Sequence, residues 1–138
     1  DQSGVERQQA RDFAIESLRR YRRKIRRGGE GLASLDHDAR HQVRKDAKKL
    51  RYASDFFASL FPERKARKRA ERFIRSLADL QDRLGLLTDL VTVPKALEAA
   101  GLSDLAERRG RDEARHRQLL EKAEEAHQEF SDTKPIWR

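Results

Sequence analysis

The residues with the most to offer chemically are cations at helical spacing. His41, Arg44, Lys48 and Arg51 fall at offsets 0, 3, 7 and 10. On an α-helix these offsets share one arc of about 80°. Lys45 and Tyr52 flank the four. The pattern recurs in Arg64, Lys68, Arg72 and Arg75, and again in Arg19, Arg23 and Arg26. Such side chains bind rather than react. A guanidinium presents a planar fork that meets phosphate oxygens bidentately, an ammonium is a mobile point charge, and a charged imidazole donates from both ring nitrogens. The ligand suited to rows of this kind is a polyanion, and its affinity should fall steeply with salt as counterions are released.

Solvation is the ordinary explanation of a charged helix face, and on one helix it would suffice. Solvating faces, however, usually mix signs, because opposite charges at i,i+4 stabilise a helix and like charges cost a few tenths of a kcal/mol. The segment around Arg108, Arg109, Asp112, Glu113, Arg115, Lys122, Glu124 and Glu125 is of that mixed kind. The three rows above instead stack like charges, an arrangement that a polyanion would neutralise. Charge is also unequal along the chain. Residues 1–75 carry 22 basic and 11 acidic side chains, a net of +11, whereas residues 76–138 carry 10 and 13, a net of −3; together they give the +8 of the whole. A localised positive field follows.

The elements that must position these rows are helices. Gly28, Gly29 and Gly31, then Pro62, Gly85 and Gly101 punctuate stretches rich in Ala, Leu, Arg, Glu and Lys, and no β-branched alternation appears. A first helix is expected from about Val5 to Arg27, with Phe13, Ala14, Leu18, Tyr21 and Ile25 on its apolar side. A second begins at an Asp36 N-cap, carries a core stripe of Val43, Ala47, Leu50 and Phe57 nearly opposite the His41 row, and ends near Leu60 before Phe61-Pro62. The third starts at Pro62 and runs through Leu84, with Phe73, Ile74, Leu77 and Leu80 inward. Gly85 should bend it, and a shorter piece with a Pro94 kink continues to Ala100. The last helix opens at Ser103 or Asp104 and reaches about Phe130, leaving residues 131–138 as a strap. Four long helices with short connections predict an all-α antiparallel four-helix bundle in a single domain, residues 1–138.

Several function classes drop out. No run approaches 18 apolar residues, so no transmembrane helix is expected, and a membrane-surface role would need apolar faces that the core already uses. With no Cys there is no disulfide scaffold, thiolate nucleophile or Cys-bound metal, a composition that fits the cytoplasm. His37 and His41 stand at i,i+4 but no third ligand accompanies them, and no cofactor is expected. Met is absent and the chain opens on Asp1, which suggests a processed chain or a piece of a longer one.

The stretch His41-Gln42-Val43-Arg44-Lys45-Asp46-Ala47-Lys48-Lys49-Leu50-Arg51-Tyr52 resembles the signature helix of the CHAD domain, the conserved histidine α-helical domain, which reads His-x-x-Arg-x-x-x-Lys-x-x-Arg. Leu80-Gln81-Asp82-Arg83-Leu84-Gly85 with Asp89 is similar to that family's Leu-Gln-x-x-Leu-Gly-x-x-x-Asp segment. Lys134-Pro135-Ile136-Trp137 is similar to its Lys-Pro-Phe-Trp ending, with Ile136 in place of Phe. The resemblance spans Asp36 to Arg138. It implies two helical lobes around a basic channel, of which this chain would be the C-terminal one. It also implies non-catalytic binding of inorganic polyphosphate, with His41, Arg44, Lys48 and Arg51 in contact and a location at polyphosphate granules. A homodimer, or an N-terminal lobe outside this chain, would supply a second basic face.

Two other readings compete. A nucleic-acid-binding helical protein would share the basic rows, but most aromatic residues fall on apolar stripes where they cannot stack on bases, and no helix-turn-helix or zinc-finger spacing occurs. An enzyme acting on phosphoanhydrides would need acidic Mg²⁺ ligands. Asp55, Asp79 and Asp82 are the candidates, and pairing with Arg51, Arg75 and Arg83 accounts for them more simply. No catalytic residue is assigned.

Overall fold

The computed structural model describes residues 2–60, 63–110 and 113–137; of Arg109 and Gly110 only the backbone is described. Within these residues there are helices and no strand. The chain runs α1 (Gln2–Gly28), a short 3-10 turn (Leu32–Ser34), α2 (His37–Ser59), α3 (Arg64–Ala99), α4 (Ser103–Gly110) and α5 (Glu113–Asp132). The all-α bundle is therefore as expected.

The starts and stops have local causes. Asp36 caps α2, its carboxylate accepting from the Ala39 N–H at 2.7 Å. Gly101, at φ 81°, ends α3 in a Schellman turn, with Leu102 N donating to Leu97 O at 2.8 Å and Gly101 N to Glu98 O at 3.0 Å. Only glycine adopts that φ freely.

Two expected breaks do not interrupt the helix. The helix α3 continues through both Gly85 and Pro94. Buried Leu84 and Leu87 clamp it on either side of Gly85, and that burial outweighs the glycine penalty of about 1 kcal/mol. The last helix is described as two, α4 and α5, with residues 111–112 outside the description. Phe61 and Pro62, expected to end the second helix and start the third, likewise lie outside it. The strap begins at Thr133 rather than Ser131, since α5 runs on to Asp132.

At 36 residues α3 is about 54 Å long and forms the spine. It packs against α2 on one side, α5 on another and α4 toward its end, while α1 packs on α2. The core joins Leu18 and Ile25 of α1, all four expected α2 residues, Phe73, Leu77, Leu80 and Leu84 of α3, and Leu119, Ala123 and Phe130 of α5. The strap closes one flank: Ile136 is buried and the Trp137 ring meets Phe73 edge-on at 5.9 Å. Phe13 departs from expectation. It is 76% exposed, because the inward arc of α1 centres on Leu18 and Ile25 and leaves Phe13 outside it.

Candidate functional site: a cationic row on α2 against α3

Helix α2 has two neighbours, so its inward arc is wider than one core stripe. Val43, Ala47, Leu50, Ser54 and Phe57 are buried. His41, Arg44 and Arg51 are half-buried beside them, Arg44 and Arg51 against α3, while Lys45 and Lys48 are exposed. The expectation that the row lies nearly opposite the core is corrected accordingly: two of its members, Arg44 and Arg51, lean into the α2–α3 groove.

Two residues of α3 receive them. Arg51 Nη1 donates to Gln81 Oε1 at 3.1 Å. The Arg44 guanidinium lies over Gly85, where an added Cβ would stand 3.3 Å from Nη2. The glycine thus clears a seat for a planar cation against the helix backbone. The segment Leu80–Gly85 is therefore the receiving side of the His41 helix. One turn before His41, the His37 ring lies parallel to it, with centroids 6.3 Å apart.

The polar accounting of the row is incomplete. His41 Nδ1, Arg44 Nε and Arg51 Nε are all shielded from solvent and have no hydrogen-bond partner. A buried donor left unpaired costs about 1–3 kcal/mol, and more when charged. The ion pairs Arg83–Asp79 (3.5 Å) and Lys122–Glu125 (3.6 Å) each lie within one helix and do not touch α2. The expected pairing of Asp55 with Arg51 and of Asp79 with Arg75 is thus replaced by Gln81 and by Arg83. The same face of α2 thus holds two guanidinium N–H groups whose missing partner is an acceptor, and an imidazole nitrogen, His41 Nδ1, that also lacks a partner.

A family model, the CHAD domain, matches residues 2–98. The chain belongs to the CHAD-domain family. That match takes in α1, α2 and nearly all of α3, more at the N-terminal end than the Asp36–Arg138 resemblance did, and it stops short of the strap. No curated protein and no solved structure matches the chain.

Among the described residues, the α1 and α3 cationic rows of this CHAD domain line two grooves that hold no α2 side chain. Lys68, Arg72 and Arg75 of α3 line a groove of about 1100 Å³ between α3 and α5, with Glu125 and Glu129 across from them. Arg19, Arg23 and Arg26 of α1 line another, bounded by His127 and Gln128 of α5 and by the strap. Asp132 borders both grooves. Arg64 is exposed in the first turn of α3, away from any groove described. A helical wheel finds the sign of each face but not which neighbour it meets.

Sequence reasoning missed the positioning residues. Arg22 donates from Nη2 to Ser131 O (3.2 Å) and Thr133 O (3.4 Å), tying α1 to the end of α5. His127 Nε2 donates to Ile25 O at 3.0 Å, and its ring covers Gly29 so closely that a Cβ there would overlap it. Gln81 and Gly85 carried a signal, since they stand in the second motif. Among the described residues no three His, Asp or Glu side chains gather where a metal ion could sit, and no helix is long and apolar enough to cross a membrane.

Proposed function

We propose that this CHAD domain binds inorganic polyphosphate without catalysis, and that the α2 row of His41, Arg44, Lys45, Lys48 and Arg51 is the primary contact. The observation that carries this reading is the set of three shielded, unpaired nitrogens on one helix face. A chain of phosphates lying along the α2 row would supply acceptors to Arg44 and Arg51 and, in its charged form, to His41. From His41 to Arg51 the row spans about 15 Å, enough to follow several consecutive phosphates. The family membership agrees with this ligand class. Arg19, Arg23, Arg26, Arg64, Lys68, Arg72 and Arg75 would extend the positive field and hold further lengths of chain rather than join the same contact. The location that suits such a ligand is the cytoplasm, at polyphosphate granules, and a second copy or a further lobe would add a second basic face.

Nucleic acid is the second reading, and one observation favours it: Phe13, Tyr52 and Phe56 are exposed rather than sequestered on apolar stripes. Competition at fixed salt separates the two. Long-chain polyphosphate should displace DNA and RNA at equal phosphate concentration. Nucleic acid winning that competition would sink the polyphosphate reading.

A further inference from the structure

On the outer surface of α2, just beyond the cationic row, two aromatic rings stand in solvent. Tyr52 is 61% exposed and Phe56 70% exposed, one helical turn apart. Lys48 Nζ lies 6.0 Å from the Tyr52 ring centroid, so the last cation of the outer row and the first ring are neighbours. Large exposed aromatics are costly to keep in water and usually mark a contact surface. The charge beside them indicates what kind. Lys45, Lys48 and Lys49 frame the rings on α2, and all three are exposed. An uncharged apolar partner would have to desolvate those lysines, whereas a ligand that is anionic at one end and aromatic at the other satisfies both.

We infer that the site accepts nucleoside polyphosphates, with the phosphates along the His41–Arg51 row and the base stacked on Tyr52 and bordered by Phe56. This rests on the polyphosphate reading of the row and adds a ligand class to it. The spacing suits it: Tyr52 lies four residues past Lys48, about 6 Å along the helix, roughly the reach of the ribose that separates a base from its first phosphate. Stacking on an exposed ring tolerates any base, because every base offers a π-face.

The test is a titration, without magnesium, of the purified chain with adenosine 5′-triphosphate and with inorganic tripolyphosphate. Both carry three phosphates, but the inorganic ligand has the greater negative charge, so electrostatics alone would favour it. The base contact should reverse that order, giving the nucleotide about fivefold tighter binding, the lower end of what one stacked base contributes. Tyr52→Ala with Phe56→Ala should erase the preference and leave tripolyphosphate affinity unchanged, while Tyr52→Phe should keep it. Equal or weaker binding of the nucleotide by the unaltered chain overturns the inference, as does a preference that survives the double substitution. So would a dimer in sedimentation that dissociates in the Tyr52→Ala, Phe56→Ala variant, since a second copy would then be what covers the rings. If neither ligand binds, the polyphosphate reading itself fails, which is a distinct result.

Discussion

Replacing Gly85 by alanine should stabilise the protein and weaken its binding at once. In a helix interior alanine is favoured over glycine by about 1 kcal/mol, chiefly because the unfolded chain loses less freedom. The new Cβ would lie 3.3 Å from Arg44 Nη2, 3.5 Å from Nε and 3.6 Å from Cζ. Only the first of these is tight, and it involves the far end of a flexible side chain, so a shift of a few tenths of an ångström relieves it. No hydrogen bond is lost, because Arg44 Nε has no partner to begin with. The net expectation is a gain of about 0.5–1 kcal/mol, or roughly 3 °C in Tm for a chain of this size. Binding should move the other way. A charge-assisted hydrogen bond is worth about 1.5–3 kcal/mol; displacing the guanidinium from its seat should forfeit about 1 kcal/mol of that, a loss of about fivefold in affinity for polyphosphate. Calorimetry supplies both numbers, a thermal scan for Tm and a titration for affinity. Two results would refute the reasoning: a drop in Tm of several degrees, meaning that Arg44 cannot yield, or an unchanged affinity, meaning that its seat is irrelevant to the ligand.

Other substitutions probe the scaffold and the field. Gly29→Ala forces a Cβ into the His127 ring and breaks its bond to Ile25 O, so overpacking and a lost hydrogen bond together should cost about 3 kcal/mol in a denaturant titration; a cost under 1 kcal/mol would show that α5 shifts freely past α1. Ser54 is fully buried with an unpaired hydroxyl, and Ser54→Ala should raise stability by about 1 kcal/mol, whereas a loss would mean the hydroxyl has a partner in solution. Reversing Lys45 and Lys48 to Glu should leave the circular dichroism spectrum unchanged, because both are exposed, and should flatten the salt dependence of polyphosphate affinity by about 1–2 in log–log slope. An unaltered slope would place the phosphates elsewhere. Lysines are the better choice for this than Arg44, whose half-buried seat would turn a reversed charge into a folding defect.

The legible part of this protein was whatever a single helix determines. Val43, Ala47, Leu50 and Phe57 share one arc, so their burial followed from spacing, and Asp36 could be read as a cap because its carboxylate acts within its own first turn. The His41 row was visible for the same reason. What depends on two helices was not. Spacing put Arg44 and Arg51 nearly opposite the core, but α2 packs between α1 and α3, and its buried arc widens toward Gln81 and Gly85. The sequence of α3 reads as broken at Gly85 because glycine is a poor helix former; the seat it makes for Arg44 appears only when α2 lies across it. The three cationic rows looked alike on wheels, yet α5 stands between the α3 row and the α1 row and gives each its own groove. Phe13 was misplaced because its apolarity outweighed its angle.

The central claim is that phosphate binds along the α2 row, and a crystal structure of the chain with tripolyphosphate tests it most directly. The account predicts phosphate oxygens within about 3 Å of side-chain nitrogens of His41, Arg44 and Arg51. Phosphates seated instead between α3 and α5, beside Lys68, Arg72 and Arg75 with the α2 row unoccupied, would contradict it.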